Sequence, residues 1–319
     1  MHKYEFTNWL LDTKTPSIQY RTLVDLFNYP VDDARVVHAR QAIMRSGPVP
    51  AILSHQSKAG KWKGERSYYT PKYFSTHWSM MLLSELCVDG SDSRFQQGVH
   101  HMLDVTADDL GKRLDANTFG LSCFWGNLLR YALHAGMVDD ARVEKVIRYA
   151  ALDLQDGPCR CVHNGGCACA WGVVRTLWGL AAIPKAQRTR ETDDAIKQGV
   201  TFLLNSFSLI EANYPTPDNG GINPIWFKLN FPLFYQVDIL FTLRVLDELD
   251  MLNHPGAQAA LDWLEQRRGR SDHWLGSSPF RQRTWHELGD REETDRWVSL
   301  HASRILQHAG RIPAFNAVA

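Results

Sequence analysis

The hexapeptide Val-Asp-Asp-Ala-Arg-Val stands at residues 31–36 and again at 138–143, and each copy opens a stretch with helical apolar spacing. A repeated helix start restricts the chain to architectures built by reiterating one small unit. Related starts stand at Asp92-Ser93-Arg94-Phe95, Asp193-Asp194-Ala195-Ile196 and Pro255-Gly256-Ala257, a period of roughly 50 residues. Each puts a helix-opening residue at or near the N-cap, where it favours the first turn.

The segments so opened are amphipathic. After the second hexapeptide, Val143, Ile147, Ala150 and Leu154 form one stripe, while Arg142, Glu144, Lys145 and Arg148 supply the wet side. Between these segments lie stretches apolar nearly all round, at 73–88, 121–135, 168–183, 231–249 and 297–307, with 18–27 as a first member. Such helices must be buried on most sides. The pattern predicts an all-α fold with six inner helices alternating with five outer ones. Two-helix units of this kind either stack into an open solenoid or close into a barrel, and the period alone does not choose. No Pro/Gly/Ser-rich linker or long charge run divides the chain, so residues 1–319 are expected to form one domain.

Gln56-Ser57-Lys58-Ala59-Gly60-Lys61-Trp62 matches the Q-x3-G-x-W repeat signature of squalene–hopene cyclases, and weaker versions stand at Gln155-Asp156-Gly157 and between Gln266 and Trp274. The order of segments from Pro16 to Gln307 resembles the α/α toroid shared by terpenoid cyclases and protein-prenyltransferase β subunits. It is most similar to small bacterial members, through Tyr20-Arg21-Thr22-Leu23-Val24-Asp25-Leu26, Thr76-His77-Trp78, Gly126-Asn127-Leu128-Leu129, Trp171-Gly172-Val173-Val174, Phe231-Pro232-Leu233 and Trp297-Val298-Ser299-Leu300. The resemblance implies parallel inner helices around a central apolar pocket. The catalytic motifs of both families are missing. No D-x-D-D proton donor occurs, since Glu191-Thr192-Asp193-Asp194 reads as a solvated helix start, and no D-x-C zinc motif occurs.

Six cysteines in a chain of 319 residues do not make a secreted disulfide framework. Four fall in Cys159-Arg160-Cys161-Val162-His163-Asn164-Gly165-Gly166-Cys167-Ala168-Cys169, ahead of one inner segment, and Cys123 stands near the start of the preceding one. Such a cluster reads as a metal site with more candidates than a zinc needs. The resemblance, in whose small bacterial members a histidine often stands at the place of Cys167, implies zinc on Cys123, Cys161, Cys167 and Cys169, with Cys159 and His163 as alternates. Buried or redox-active thiols are the competing reading, and an iron–sulfur cluster is the other cofactor that four thiols allow.

Other candidates lie on the apolar segments. His77 and Tyr73 share a face four residues apart. Tyr235 and Asp238 are expected at i and i+3 on the fifth inner helix, and an acid among Phe231, Phe234, Leu240 and Phe241 needs either a partner or a function. His77, Tyr235 and Asp238 are therefore the catalytic candidates. Arg130 and Arg175 are candidates for a ligand's diphosphate or for pairing with Asp238. Trp78 and Trp171 are candidate walls for an isoprenoid or its carbocation.

Lys plus Arg equals Asp plus Glu, at 35 each, so no global positive charge marks a nucleic-acid binder. The start lacks the apolar run of a secretory signal, and no apolar stretch has the length of a transmembrane segment, so a cytoplasmic location is expected. The leading expectation is a zinc-dependent, terpenoid-cyclase-like or prenyltransferase-like enzyme acting on an isoprenoid or other small apolar ligand. A non-catalytic binding scaffold with a structural zinc is the second, and a zinc-thiolate glycosidase the third.

Overall fold

The repeated helix starts act through one local device. In the computed structural model, which describes residues 3–63, 67–155, 158–269, 272–285 and 288–315, Asp33 accepts the backbone N–H of Arg35 at 2.9 Å and grips the same guanidinium through Nε at 3.0 Å and Nη2 at 2.9 Å. Asp140 does the same for Arg142, and Asp92 for Arg94. One carboxylate thus satisfies a free helix N–H and neutralises the cation two residues on. The Glu191–Asp194 start departs from this pattern. There Thr189 is the cap, accepting from the N–H of Thr192, and the acidic residues occupy the first turn.

The chain is helical throughout, and among the described residues it forms no β-strand, only the isolated bridges Arg160 to Ala168 and Asn230 to Ser277. The helices are α1 (Lys3–Leu11), α2 (Pro16–Arg21), continued by a π-helical turn Thr22–Leu26, α3 (Ala34–Arg45) and α4 (Pro48–Ser54). Then come α5 (Thr76–Glu85), α6 (Ser93–Asp115), α7 (Ser122–His134), α8 (Ala141–Gln155) and α9 (Ala170–Ala181). The last are α10 (Arg190–Thr201), α11 (Ile239–Glu248), α12 (Gln258–Gln266) and α13 (Arg291–His308).

Every residue of α9 from Gly172 to Leu180 is buried, and α5 and α11 are covered almost as completely. These are the helices that read as apolar all round. The amphipathic α6, α8, α10 and α12 pack against covered helices, and α3 packs against α2. Neighbour follows neighbour among the covered helices: α5 lies on α7, α7 on α9, α9 on α11, α11 on α13, and α13 on α2 and its π-turn. Ser17 on α2 donates to the carbonyl of Leu86, just past α5, at 2.6 Å. The closest approach is that of α7 to α9. A Cβ added at Gly126 would stand 2.3 Å from the carbonyl oxygen of Arg175, and one at Gly179 would stand 2.7 Å from that of Gly126.

The turn signature also has a structural meaning. Trp62 is buried and donates its indole N–H to the carbonyl of Ile52 at 2.7 Å, while its backbone N–H reaches Thr76 Oγ1. Gly60, at φ 75°, makes the turn. Trp274 repeats the clip: its indole donates to Leu264, again ten residues upstream, at 2.8 Å, and its N–H reaches Ser299 Oγ. Gln56 and Gln155 share another bond, each amide donating to a carbonyl near the start of the next outer helix, Arg94 and Glu191. Asp156 and Gly157 of that weaker signature lie outside the described residues.

One boundary differs from the sequence reading in a way that matters for the site. The fifth inner helix begins at Ile239, not at 231, because Asp238 is its N-cap and Pro232 offers no backbone donor. Residues 229–231 instead attach to Ser277, through Ser277 N–H to Leu229 at 2.7 Å and Phe231 N–H to Ser277 at 3.0 Å.

Carboxylates at the C-terminal ends of the covered helices would face the negative end of each helix. Arginines neutralise them. Arg244 on α11 holds Glu85 of α5 through both nitrogens at 3.0 and 3.2 Å, Arg130 on α7 holds Glu248 of α11, and Arg304 bridges Asp25 and Asp247 at 3.4 and 2.9 Å.

Candidate functional site

At the opposite, N-terminal ends of α7 and α9 lies a cavity of about 1100 Å³. Its walls are ring side chains, Tyr68, Tyr69, Phe124, Trp125, Trp171, Tyr214 and Tyr235, interrupted by the thiols of Cys123, Cys161 and Cys169. The loop 214–223 closes one side. A large, mostly apolar hollow with a few polar groups is the ordinary form of a small-molecule site.

The thiols are positioned by a small turn. Gly165 and Gly166, at φ 60° and 78°, reverse the chain, the Cys161 N–H bonds the carbonyl of Cys167 at 3.1 Å, and the bridge between Arg160 and Ala168 holds the two arms together. Cys161 and Cys169 reach the cavity from opposite arms of this turn. The neighbouring Cys169 thiol, with the backbone N–H groups of His163 and Asn164, favours a thiolate at Cys161 and pulls its pKa below the ordinary thiol range. Cys169 moves the other way, because Cys161 beside it holds it in the protonated form and because it is largely desolvated. Burial pushes Cys123 up to about 11. Cys159 is fully buried, 3.6 Å from Thr176 Oγ1, and takes no part in the cavity wall.

Of the four expected zinc ligands, three line the cavity and Cys167 does not. Among the described residues, no group of three or more His, Cys, Asp or Glu side chains is gathered as a metal ion requires. The residues as they stand therefore assemble neither a zinc tetrahedron nor an iron–sulfur cage.

The remaining candidates separate into wall, second layer and scaffold. Tyr235 and Trp171 are on the wall. Tyr235 stands before α11 rather than on it, so it does not share a helix face with Asp238 as the spacing predicts. His77 lies behind the wall, stacked on Phe124 at 4.4 Å with Nδ1 3.4 Å from the Tyr131 hydroxyl, and burial drives its pKa down to about 3. Trp78 is in the same layer and donates to the Tyr69 carbonyl at 2.8 Å.

Asp238 is wholly buried, and its lone pairs are taken by the N–H of Phe241 at 2.7 Å and by the backbone and side-chain amides of Asn230, each at 2.8 Å. Among the described residues it makes no salt bridge. Burial raises its pKa to about 6 against the pull of those bonds. Arg130 is held by Glu248 and packs on Trp178. Arg175 is fully buried, donates one bond to the Gln236 carbonyl at 2.7 Å, and lies 4.0 Å from the ring centre of Phe241. Its Nε and Nη1 have no hydrogen-bond partner among the described residues.

Sequence reasoning missed Lys72, a cation on the cavity wall. Its Nζ sits 4.6 Å from the ring centre of Tyr235 and 5.3 Å from that of Tyr69. It also missed Asp109, a carboxylate on the wall, and the loop that carries Tyr214. The Tyr68-Tyr69 pair beside Lys72 was a legible signal, because adjacent aromatics in a loop seldom go unburied. Comparison with protein-family models, curated proteins and solved structures returned no match.

Proposed function

We propose that the covered helices close into an α/α toroid whose rim cavity binds a small, largely apolar ligand of the isoprenoid class and acts on it through the Cys161 thiol. The observation that carries this reading is the placing of a thiol pair within an aromatic-walled hollow of about 1100 Å³. The run of contacts from α2 through α13, with Ser17 bonded to Leu86, supports ring closure.

The walls suit an apolar chain, and their ring faces would stabilise positive charge developing on it. Lys72, half-buried on two tyrosines, would take the anionic end of such a ligand. Cys161 would serve as nucleophile toward the carbon that bears the diphosphate, the C–O bond breaking as a C–S bond forms and diphosphate leaving beside Lys72; the Cys169 thiol and the N–H groups of His163 and Asn164 favour the thiolate.

Trp125 and Trp171 report on the cavity directly. Titration with isoprenyl diphosphates and isoprenyl alcohols should change the indole emission, and Lys72→Met should weaken the diphosphates more than the alcohols. Cys161→Ser should bind but convert nothing. Aryl glycosides that bind in preference to every isoprenyl compound, or an emission unmoved by any isoprenyl compound, would overturn the reading. Elemental analysis showing a zinc that is lost together with turnover in Cys123→Ala or Cys169→Ala would restore the metal-dependent form.

A further inference from the structure

We propose that Cys161 and Cys169 form a reversible dithiol–disulfide couple on the cavity wall, open to exchange with small disulfides. The two residues stand on opposite arms of one turn, tied by the Arg160 to Ala168 bridge and by the Cys161 N–H bond to Cys167. Both side chains reach the same cavity wall. Closing a disulfide between them needs the loss of both thiol hydrogens and an approach of the sulfurs to about 2.0 Å.

The other cysteines are placed differently. Cys87 lies far off in sequence beside the carbonyl of Glu85, Cys159 is sealed in the interior, and Cys167 does not reach the cavity. Cys123 faces the same cavity from α7. Sharing both one turn and one cavity wall selects Cys169 as the partner of Cys161. Because both line an open hollow, a small reagent reaches them without unfolding the chain. The ring that would close spans residues 161–169, and a disulfide exposed on an open cavity is of the labile, exchangeable kind.

The step is ordinary exchange. Cys161 sulfur attacks one sulfur of a small disulfide, whose S–S bond breaks, and the leaving thiolate takes up the proton lost from Cys161. Cys169 then attacks Cys161 sulfur, expelling the second thiolate, which takes the proton from Cys169. The protein dithiol is oxidised by two electrons, and the small disulfide is reduced to two thiols. The inference rests on the proposed function in one respect: if Cys161 is the reactive thiol, the oxidised form is inactive.

Glutathione disulfide is the probe. Incubated with native protein, it should give a species two hydrogens lighter, whose peptide map joins Cys161 to Cys169 and which dithiothreitol reverses. Cys169→Ser should instead trap one glutathionyl group on Cys161, and Cys167→Ser should oxidise like the parent protein. A stable glutathionyl adduct on the parent protein, a bond to Cys123 or Cys167, or thiols left unreacted, whether free or held by zinc, would each overturn the couple. Isoprenyl binding measured in Cys161→Ser/Cys169→Ser tests the cavity separately, so either idea can fail while the other stands.

Discussion

Asp140 accepts the backbone N–H of Arg142 at 2.8 Å while its other oxygen takes the same residue's guanidinium at 2.5 Å. The pair recurs as Asp33 with Arg35 and Asp92 with Arg94, so the device that starts three outer helices is one short motif, D-x-R, reused. Its cap and its ion pair can be separated. Asp140→Ala should cost about 1 kcal/mol, the usual worth of an N-cap, and Asp140→Asn clearly less, because the amide oxygen still caps. Urea denaturation of the two variants checks this, and equal losses would assign the value to the ion pair instead.

Gly126 and Gly179 let α7 and α9 touch through their backbones. Gly126→Ala would place a methyl 2.3 Å from the Arg175 carbonyl oxygen, and neither helix can yield without moving its neighbours. A loss of about 1–3 kcal/mol or more is expected, the range for overpacking. Gly111, whose added Cβ meets nothing within 4 Å, is the control: Gly111→Ala in the exposed helix should be neutral or stabilising. A Gly126→Ala protein as stable as its parent would show that the two helices separate freely.

Two buried histidines set the acid limit of the fold. His77 is held down to about 3 by burial and by the nearby Arg175 guanidinium, and His301 is held well below its ordinary value by burial and by Arg244, Arg21 and Arg304. Below about pH 6.5 the unfolded chain binds protons that the folded chain refuses, so stability must fall as the pH drops from about 6.5 toward 3. Asp238 works against this. Its raised pKa, about 6, means the folded protein takes its proton before the unfolded one, which relieves the cost of its buried charge over part of the same range. Asp295 is raised by burial as well, but His101, His134 and His273 are lowered along with His77 and His301, so the net slope should be positive. Denaturant midpoints at pH 7 and pH 5 measure it, and His77→Phe, which keeps a ring against Phe124, should flatten it. A slope unchanged in that variant would remove His77 from the account.

Arg175 is a buried cation that makes no ion pair among the described residues. Such a charge is costly to hold, and an apolar residue of similar length often improves stability by about 1–4 kcal/mol. Arg175→Met should therefore raise the thermal midpoint. A lowered midpoint would mean that its bond to Gln236 and its packing on Phe241 and Trp178 outweigh the desolvation.

The sequence by itself determined the helices. Periodicity marked which segments are covered and which are amphipathic, because burial on one side or on all sides is written directly in the spacing of apolar residues. The D-x-R starts and the Trp62 turn were equally local, and each became a defined set of hydrogen bonds. The site depended on contacts distant in sequence. The spacing that put Tyr235 and Asp238 on one helix failed because Asp238 caps that helix, where its bonds to Asn230 and Phe241 outweigh one more turn. Arg130 has its partner 118 residues away, in Glu248. Four cysteines were visible as a cluster, but which of them face a common hollow was decided by a glycine turn and by the α7–α9 approach. Tertiary structure alone put Cys123, Cys161 and Cys169 on one cavity wall and left Cys167 off it, because a thiol's chemistry follows from what surrounds its sulfur, and sequence spacing does not record that.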